Sequence, residues 1–76
     1  MTERPIDALD RAKGKKVMVK LKNGEEVMGV LKALDLHLNL WLDEAEVTKN
    51  NGESKLKLGT ILVRGDTIVY ATPVQV

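Results

Sequence analysis

The segment Lys16–Leu34 reads KVMVKLKNGEEVMGVLKAL, and its pattern decides the class of fold. Val17, Val19 and Leu21 alternate with Met18, Lys20 and Lys22, the period of two expected of a strand with one covered face. Asn23-Gly24 then supplies a favoured hairpin turn, and a second strand runs from Glu26 to Leu34. Gly29 lies inside that second strand, where a residue without Cβ suits a sharp bend or the close approach of another backbone.

Upstream of this hairpin, residues 4–12 read RPIDALDRA. Pro5 stands where a first helical turn tolerates it, Asp7 lies near the positive end of the helix, Arg11 and Lys13 lie near the other, and Gly14 stops it. Only Ile6 and Leu9 are strongly apolar, so this is a short helix resting on something larger. Downstream, Leu40–Val47 reads as a third strand and Thr48–Lys55 as a polar loop with Asn51-Gly52 at its turn. Leu56–Val63 forms a fourth strand and Thr67–Ala71 a fifth, separated only by Arg64-Gly65-Asp66. One helix followed by five strands, with a glycine bend in the second, makes a mainly β protein: a small, strongly bent antiparallel sheet closed like a barrel. Such a sheet leaves edge strands that can pair between subunits.

Size makes that pairing important. A chain of 76 residues is one small domain. It buries only about 60% of the surface that its unfolded form exposes, so it needs support from disulfides, a metal or other subunits. The absence of cysteine removes disulfides and thiolate metal sites, and a single histidine cannot complete a zinc site of nitrogen and sulfur ligands. Association remains. No apolar run approaches the roughly 20 residues needed to cross a bilayer. The start, MTERPIDALDRAKGKK, has no apolar core flanked by a cleavage site, so the expected location is cytoplasmic. Twelve basic against eleven acidic residues, a net charge of +1, leave nucleic-acid binding open without announcing it.

Between the second and third strands lies Asp35–Leu42, DLHLNLWL, with leucine at every second position. A regular strand would place Asp35, His37 and Asn39 side by side on one face. Catalysis is one reading of that row. His37 as a general base needs a partner within hydrogen-bonding reach, with Asp35 or Asp66 to orient it and Thr60 or Thr67 as nucleophile. No motif activates either threonine, and glycine-rich phosphate loops are absent, so an enzyme is not expected. No cofactor is implied.

Single-stranded nucleic acid is the other reading. Binders of this kind stack bases on aromatic side chains, yet the chain has no phenylalanine, one tyrosine and one tryptophan. Imidazole and guanidinium planes also stack on bases. His37 and Arg64 supply one of each, both at turns between strands, and a base held between them leaves Asn39 free to read its edge. Trp41 is expected to pack on the sheet or on a neighbour, and the lysines at 15, 16, 20, 22 and 32 are expected to be solvated charges.

Asp35-Leu36-His37-Leu38-Asn39 and Ile61-Leu62-Val63-Arg64-Gly65-Asp66 resemble the two Sm motifs, with Gly29 at the glycine of the preceding strand. Over nearly its full length the chain resembles archaeal Sm-like (LSm) proteins of the Sm/LSm/Hfq family. The Arg-Gly-Asp form of the second motif is nearer to the archaeal and eukaryotic branch than to Hfq. The resemblance implies one Sm-like domain over residues 1–76: helix 4–12, first motif region 16–47, polar loop 48–55 and second motif region 56–72. It implies a ring of identical subunits, expected to be a heptamer, binding uridine-rich single-stranded RNA at a central pore in RNA processing. His37 and Arg64 would stack on the base, Asn39 would pair with the uracil edge, Gly65 would offer close backbone contact and Asp35 would support the loop. Asp66 would accept from the Asn39 amide and so fix which way it faces. Some relatives carry an aromatic residue before the motif aspartate that helps a second RNA site near the helix; here that position is Leu34, a departure from the pattern that a second site using Arg4 would need. The alternative is a protein-interaction module whose polar motifs serve only the turns.

Overall fold

A computed structural model describes residues 4–49, 52 and 54–74. Helix α1 (Pro5–Asp10) precedes six strands: β1 (Lys16–Leu21), β2 (Glu26–Leu34), β3 (Leu40–Lys49), β4 (Ser54–Lys57), β5 (Ile61–Val63) and β6 (Ile68–Pro73). The strands form one antiparallel sheet in the order β4-β3-β2-β1-β6, with β5 also on β3. The outer edges of β6 on one side and of β4 and β5 on the other therefore lack a strand partner among the described residues.

The helix is shorter than residues 4–12. Arg4 is its N-cap, and the Asp7 carboxylate accepts from the Arg4 backbone N–H (3.1 Å) and from its guanidinium (3.0 and 3.2 Å). These hydrogen bonds hold the Asp7 carboxyl below the usual carboxylate range. A helix this short does not stand alone in water. Leu9 packs against the core, and the buried Ala12 follows in the turn that leads to Gly14.

The β1–β2 hairpin closes at Asn23-Gly24 as expected, with a particular geometry. Gly24 takes the left-handed conformation (φ +92°) while Asn23 does not. Leu21 N–H donates to the Glu25 carbonyl (2.9 Å), Gly24 N–H to the Leu21 carbonyl (3.0 Å) and Glu25 N–H to the Asn23 side chain (2.9 Å). This is a three-residue loop with a left-handed last position, not the two-residue turn.

The bend of the sheet comes from two bulges on the β2–β3 ladder. Met28 opposes Glu46 but Val30 opposes Asp43, so β3 carries one extra residue opposite Gly29. Glu44, within that excess, has φ +51°. Further along, Leu31 opposes Leu42 and Ala33 opposes Trp41, so the extra residue, Lys32, is now on β2. The first bulge switches the phase of β3: Leu40 and Leu42 are buried before it, Ala45 and Val47 after it, and all four join Val17, Val19, Val27, Leu31 and Val63 in the core. Gly29 fits because a Cβ there would stand 2.9 Å from the Asp43 carbonyl oxygen and 3.2 Å from the Ala45 Cα. No polar side chain is buried among the described residues.

The same bulge explains why the expected fourth strand, 56–63, is two strands. β4 pairs with Glu46–Lys49 and β5 with Leu40–Leu42, while Leu58–Thr60 crosses the displaced part of β3. Two backbone bonds still span the gap, from Leu58 N–H to the Ala45 carbonyl (2.7 Å) and from Ala45 N–H to the Gly59 carbonyl (3.1 Å). The strands also run further than expected, to Lys49 in β3 and to Pro73 in β6, and Thr67 belongs to a 3-10 turn before β6. Of the polar loop, residues 50, 51 and 53 lie outside the described residues, and with them the turn at Asn51.

Candidate nucleic-acid interface

Two loops meet at one end of the sheet. Residues 35–39 join β2 to β3, and the 3-10 turn Gly65–Thr67 joins β5 to β6. Pairing of Leu40 with Val63 brings Asn39 alongside Arg64. His37, Asn39, Arg64, Gly65 and Asp66 together line a shallow concavity there.

Asp35 to Asn39 is a turn and not the regular strand its leucine alternation suggests. Asp35 organises it. Its Oδ1 accepts from the backbone N–H of His37 (2.9 Å) and of Asn39 (3.1 Å), an aspartate turn in which a side chain replaces a carbonyl. Leu38 takes φ +62° to make the reversal. Asp35 Oδ2 accepts from Nδ2 of Asn39 (3.1 Å), and this bond, above all, holds the Asp35 carboxyl below the usual carboxylate range.

The second loop grips the same amide from its other side. Gly65 N–H donates to Oδ1 of Asn39 (2.9 Å). A Cβ at Gly65 would collide with the His37 carbonyl oxygen, so glycine is what lets the two backbones approach. Thr67 secures the turn through its hydroxyl (2.6 Å) and its N–H (3.0 Å), both donating to the Arg64 carbonyl.

Asp66 does not hold Asn39. Its carboxylate lies 3.5 Å from the Arg64 guanidinium in an exposed pair. The role expected of Asp66 falls to Asp35 because the loop curls back on its own first residue. The sequence does carry a signal for this: an aspartate opening a short loop is a common turn-former. The left-handed Leu38 that completes the curl has none, since leucine rarely adopts it.

The remaining expected groups are accounted for as follows. The imidazole of His37 is exposed and makes no hydrogen bond to a described residue. Thr60 donates to Asp43 (2.7 Å) and Thr67 to Arg64, so neither hydroxyl is directed at His37. Trp41 is half-exposed, its indole N–H donating to Asp43 (3.1 Å). Beside it lies an apolar hollow that includes Leu34, Leu62 and Val63. Among the described residues no helix is long and apolar enough to cross a membrane, and no cluster of three potential metal ligands occurs.

The LSM domain model matches residues 7–73 of this chain. A protein of Methanococcoides burtonii named as snRNP Sm-like is 47% identical over 73 residues, spanning 96% of this chain and 100% of that protein. The fold is similar to that of the P. aerophilum SmAP1 heptamer (TM-score 0.89, 33% identity, 99% of each chain). It is also similar to the Pyrococcus abyssii Sm protein in complex with a uridine heptamer (TM-score 0.87, 40% identity, 95% of this chain and 100% of that one). The chain belongs to the LSM family, the Sm-like proteins.

Proposed function

We propose that this chain forms a closed ring of identical subunits, a heptamer, that binds uridine-rich single-stranded RNA at its central pore. It acts there as a non-catalytic scaffold or chaperone in RNA processing, in the cytoplasm. Each subunit offers one base site: His37 and Arg64 stack on the base, Asn39 pairs with its edge, and Gly65 contributes backbone at close range. Asp66 partners Arg64. The similar Pyrococcus abyssii protein, solved with a uridine heptamer, supports the choice of ligand.

One observation carries this reading. Asn39 spends one N–H on Asp35 and one lone pair on Gly65, and keeps one donor and one acceptor for a ligand within a concavity that His37 and Arg64 also line. Two planar groups and a half-used amide are what a single base needs for stacking and edge pairing. Assembly follows from the two unpaired sheet edges. Leu62 on β5 (75% exposed) and Val69 on β6 (59% exposed) are apolar side chains at opposite edges that a neighbouring copy would cover. Repetition around a ring then joins weak sites into one strong one, with a gain of about 10²–10⁴.

Native mass spectrometry with oligouridine tests both parts together. The expected result is a heptamer that takes up one strand. Arg64→Ala and His37→Ala should each weaken binding by about 1–3 kcal/mol, the scale of one lost stack. Arg64→Ala should also flatten the salt dependence, because it removes a cation near phosphate. A stable monomer at micromolar concentration overturns the ring. Unchanged binding in both variants overturns the site, and absence of saturable binding in the parent leaves the protein-interaction module.

A further inference from the structure

We propose that Asp35, together with the Gly65 amide, makes this site choose uracil over cytosine; the inference rests on the base-binding reading above. The two bases present opposite edges to an amide. Uracil offers N3–H and O4, a donor and an acceptor. Cytosine offers N3 and an amino group, an acceptor and a donor. An asparagine turned by half a rotation about its last bond matches one as well as the other, so an unrestrained Asn39 discriminates poorly.

Asn39 is restrained on both sides. Its Nδ2 donates to the carboxylate of Asp35 (3.1 Å), an acceptor only, and its Oδ1 accepts from Gly65 N–H (2.9 Å), a donor only. Rotation would set oxygen against oxygen at Asp35 and nitrogen against N–H at Gly65. Two contacts fail at once. In the observed orientation the spare lone pair suits uracil N3–H and the spare N–H suits O4; cytosine meets two mismatches, and this rejection supplies the specificity. Asp35 remains ionised well into acid because the Asn39 amide holds its pKa down. Asp35 does not touch the base in this scheme and is a positioning residue.

Competition between oligouridine and oligocytidine at fixed salt, on rings verified by mass, provides the test. Asp35→Asn keeps an oxygen for the backbone N–H groups of His37 and Asn39, so the turn survives. Its new NH2 faces Asn39, where either orientation of that amide now has one mismatch. The preference for uridine should narrow by about tenfold, one well-made contact's worth. Asp66→Asn, which changes only the partner of Arg64, should leave the ratio at the parent value. A loop merely loosened would weaken both oligomers equally and leave the ratio unchanged, which overturns the inference; so does a ratio that falls in Asp66→Asn instead. A parent ring that binds neither oligomer removes the base-binding reading itself, and the inference with it. Should Asp35→Asn fail to form rings, the amide resonances of Asn39 in the ¹⁵N-labelled parent decide. One amide proton protected from exchange in the RNA-free ring supports the clamp, and two equally exchanging protons overturn it.

Discussion

The Gly29–Glu44 bulge and the Gly65–Leu38 contact solve the same steric problem with opposite results. In each, a residue other than glycine takes the left-handed conformation, Glu44 at φ +51° and Leu38 at φ +62°. In each, a glycine on the facing segment gives the room, Gly29 against the Asp43 carbonyl and Gly65 against that of His37. At the bulge the distortion is offset by burial, because Leu42, Ala45 and Val47 all turn inward. At the loops it is offset by hydrogen bonds among exposed or half-exposed groups, from Asp35 through Asn39 to Gly65. Strain placed in the core shapes the sheet; strain placed at the rim shapes a recognition surface. Damage at the two places should therefore be read out by different instruments.

The largest expected effect is on the core side. Gly29→Val adds a branched side chain where even a Cβ stands 2.9 Å from a backbone oxygen, and the bulge cannot yield without moving Leu42. Thermal or denaturant unfolding should show a loss of about 3 kcal/mol, the upper part of the overpacking range. An unchanged midpoint would mean that the sheet bends elsewhere. Gly65→Ala should do the reverse, leaving the ring assembled while oligouridine binding falls by about tenfold or more, because the loop must retreat from His37 and Asn39 loses its donor. Fluorescence titration of intact rings measures it, and loss of the fold along with binding would erase the contrast. The smallest effect sharpens the comparison: Glu44→Gly relieves a left-handed residue and should stabilise the subunit by about 0.5 kcal/mol, net of glycine's entropy cost. A calorimetric shift to lower temperature would show that the Glu44 side chain does more than occupy the bulge.

These differences also explain how much the sequence discloses. Alternation in Val17–Leu21 and the glycine at 29 show the hairpin and its bend before any coordinates, because both depend on local chemistry. The break between β4 and β5 is invisible there, since residues 56–63 carry no stop and the interruption is imposed by a bulge in another strand. The candidate site divides in the same way. His37, Asn39 and Arg64 announce themselves by type and position, and the structure brings them to one concavity. The partner of Asn39 does not. Asp35 and Asp66 are equally plausible acceptors on paper, and only the curl at Leu38, a conformation leucine seldom adopts, gives the amide to Asp35.

The two bulges of the β2–β3 ladder have a consequence that resembles a pair of compensating frameshifts. The extra residue on β3 at Glu44 puts the partners one position out of step, and the extra residue on β2 at Lys32 puts them back, so that Leu34 meets Leu40 as Val27 meets Val47. Between them only Val30–Leu31 and Leu42–Asp43 are paired in the shifted frame. The second correction falls three residues before Asp35, so it sets the phase in which the chain enters the recognition loop. Deleting Lys32 alone would turn Leu34 away from the core and deliver Asp35 to the wrong face, since a one-residue slip inverts every side chain beyond it. An insertion or deletion in one strand thus has its natural second-site suppressor in the other, on the far side of Leu31.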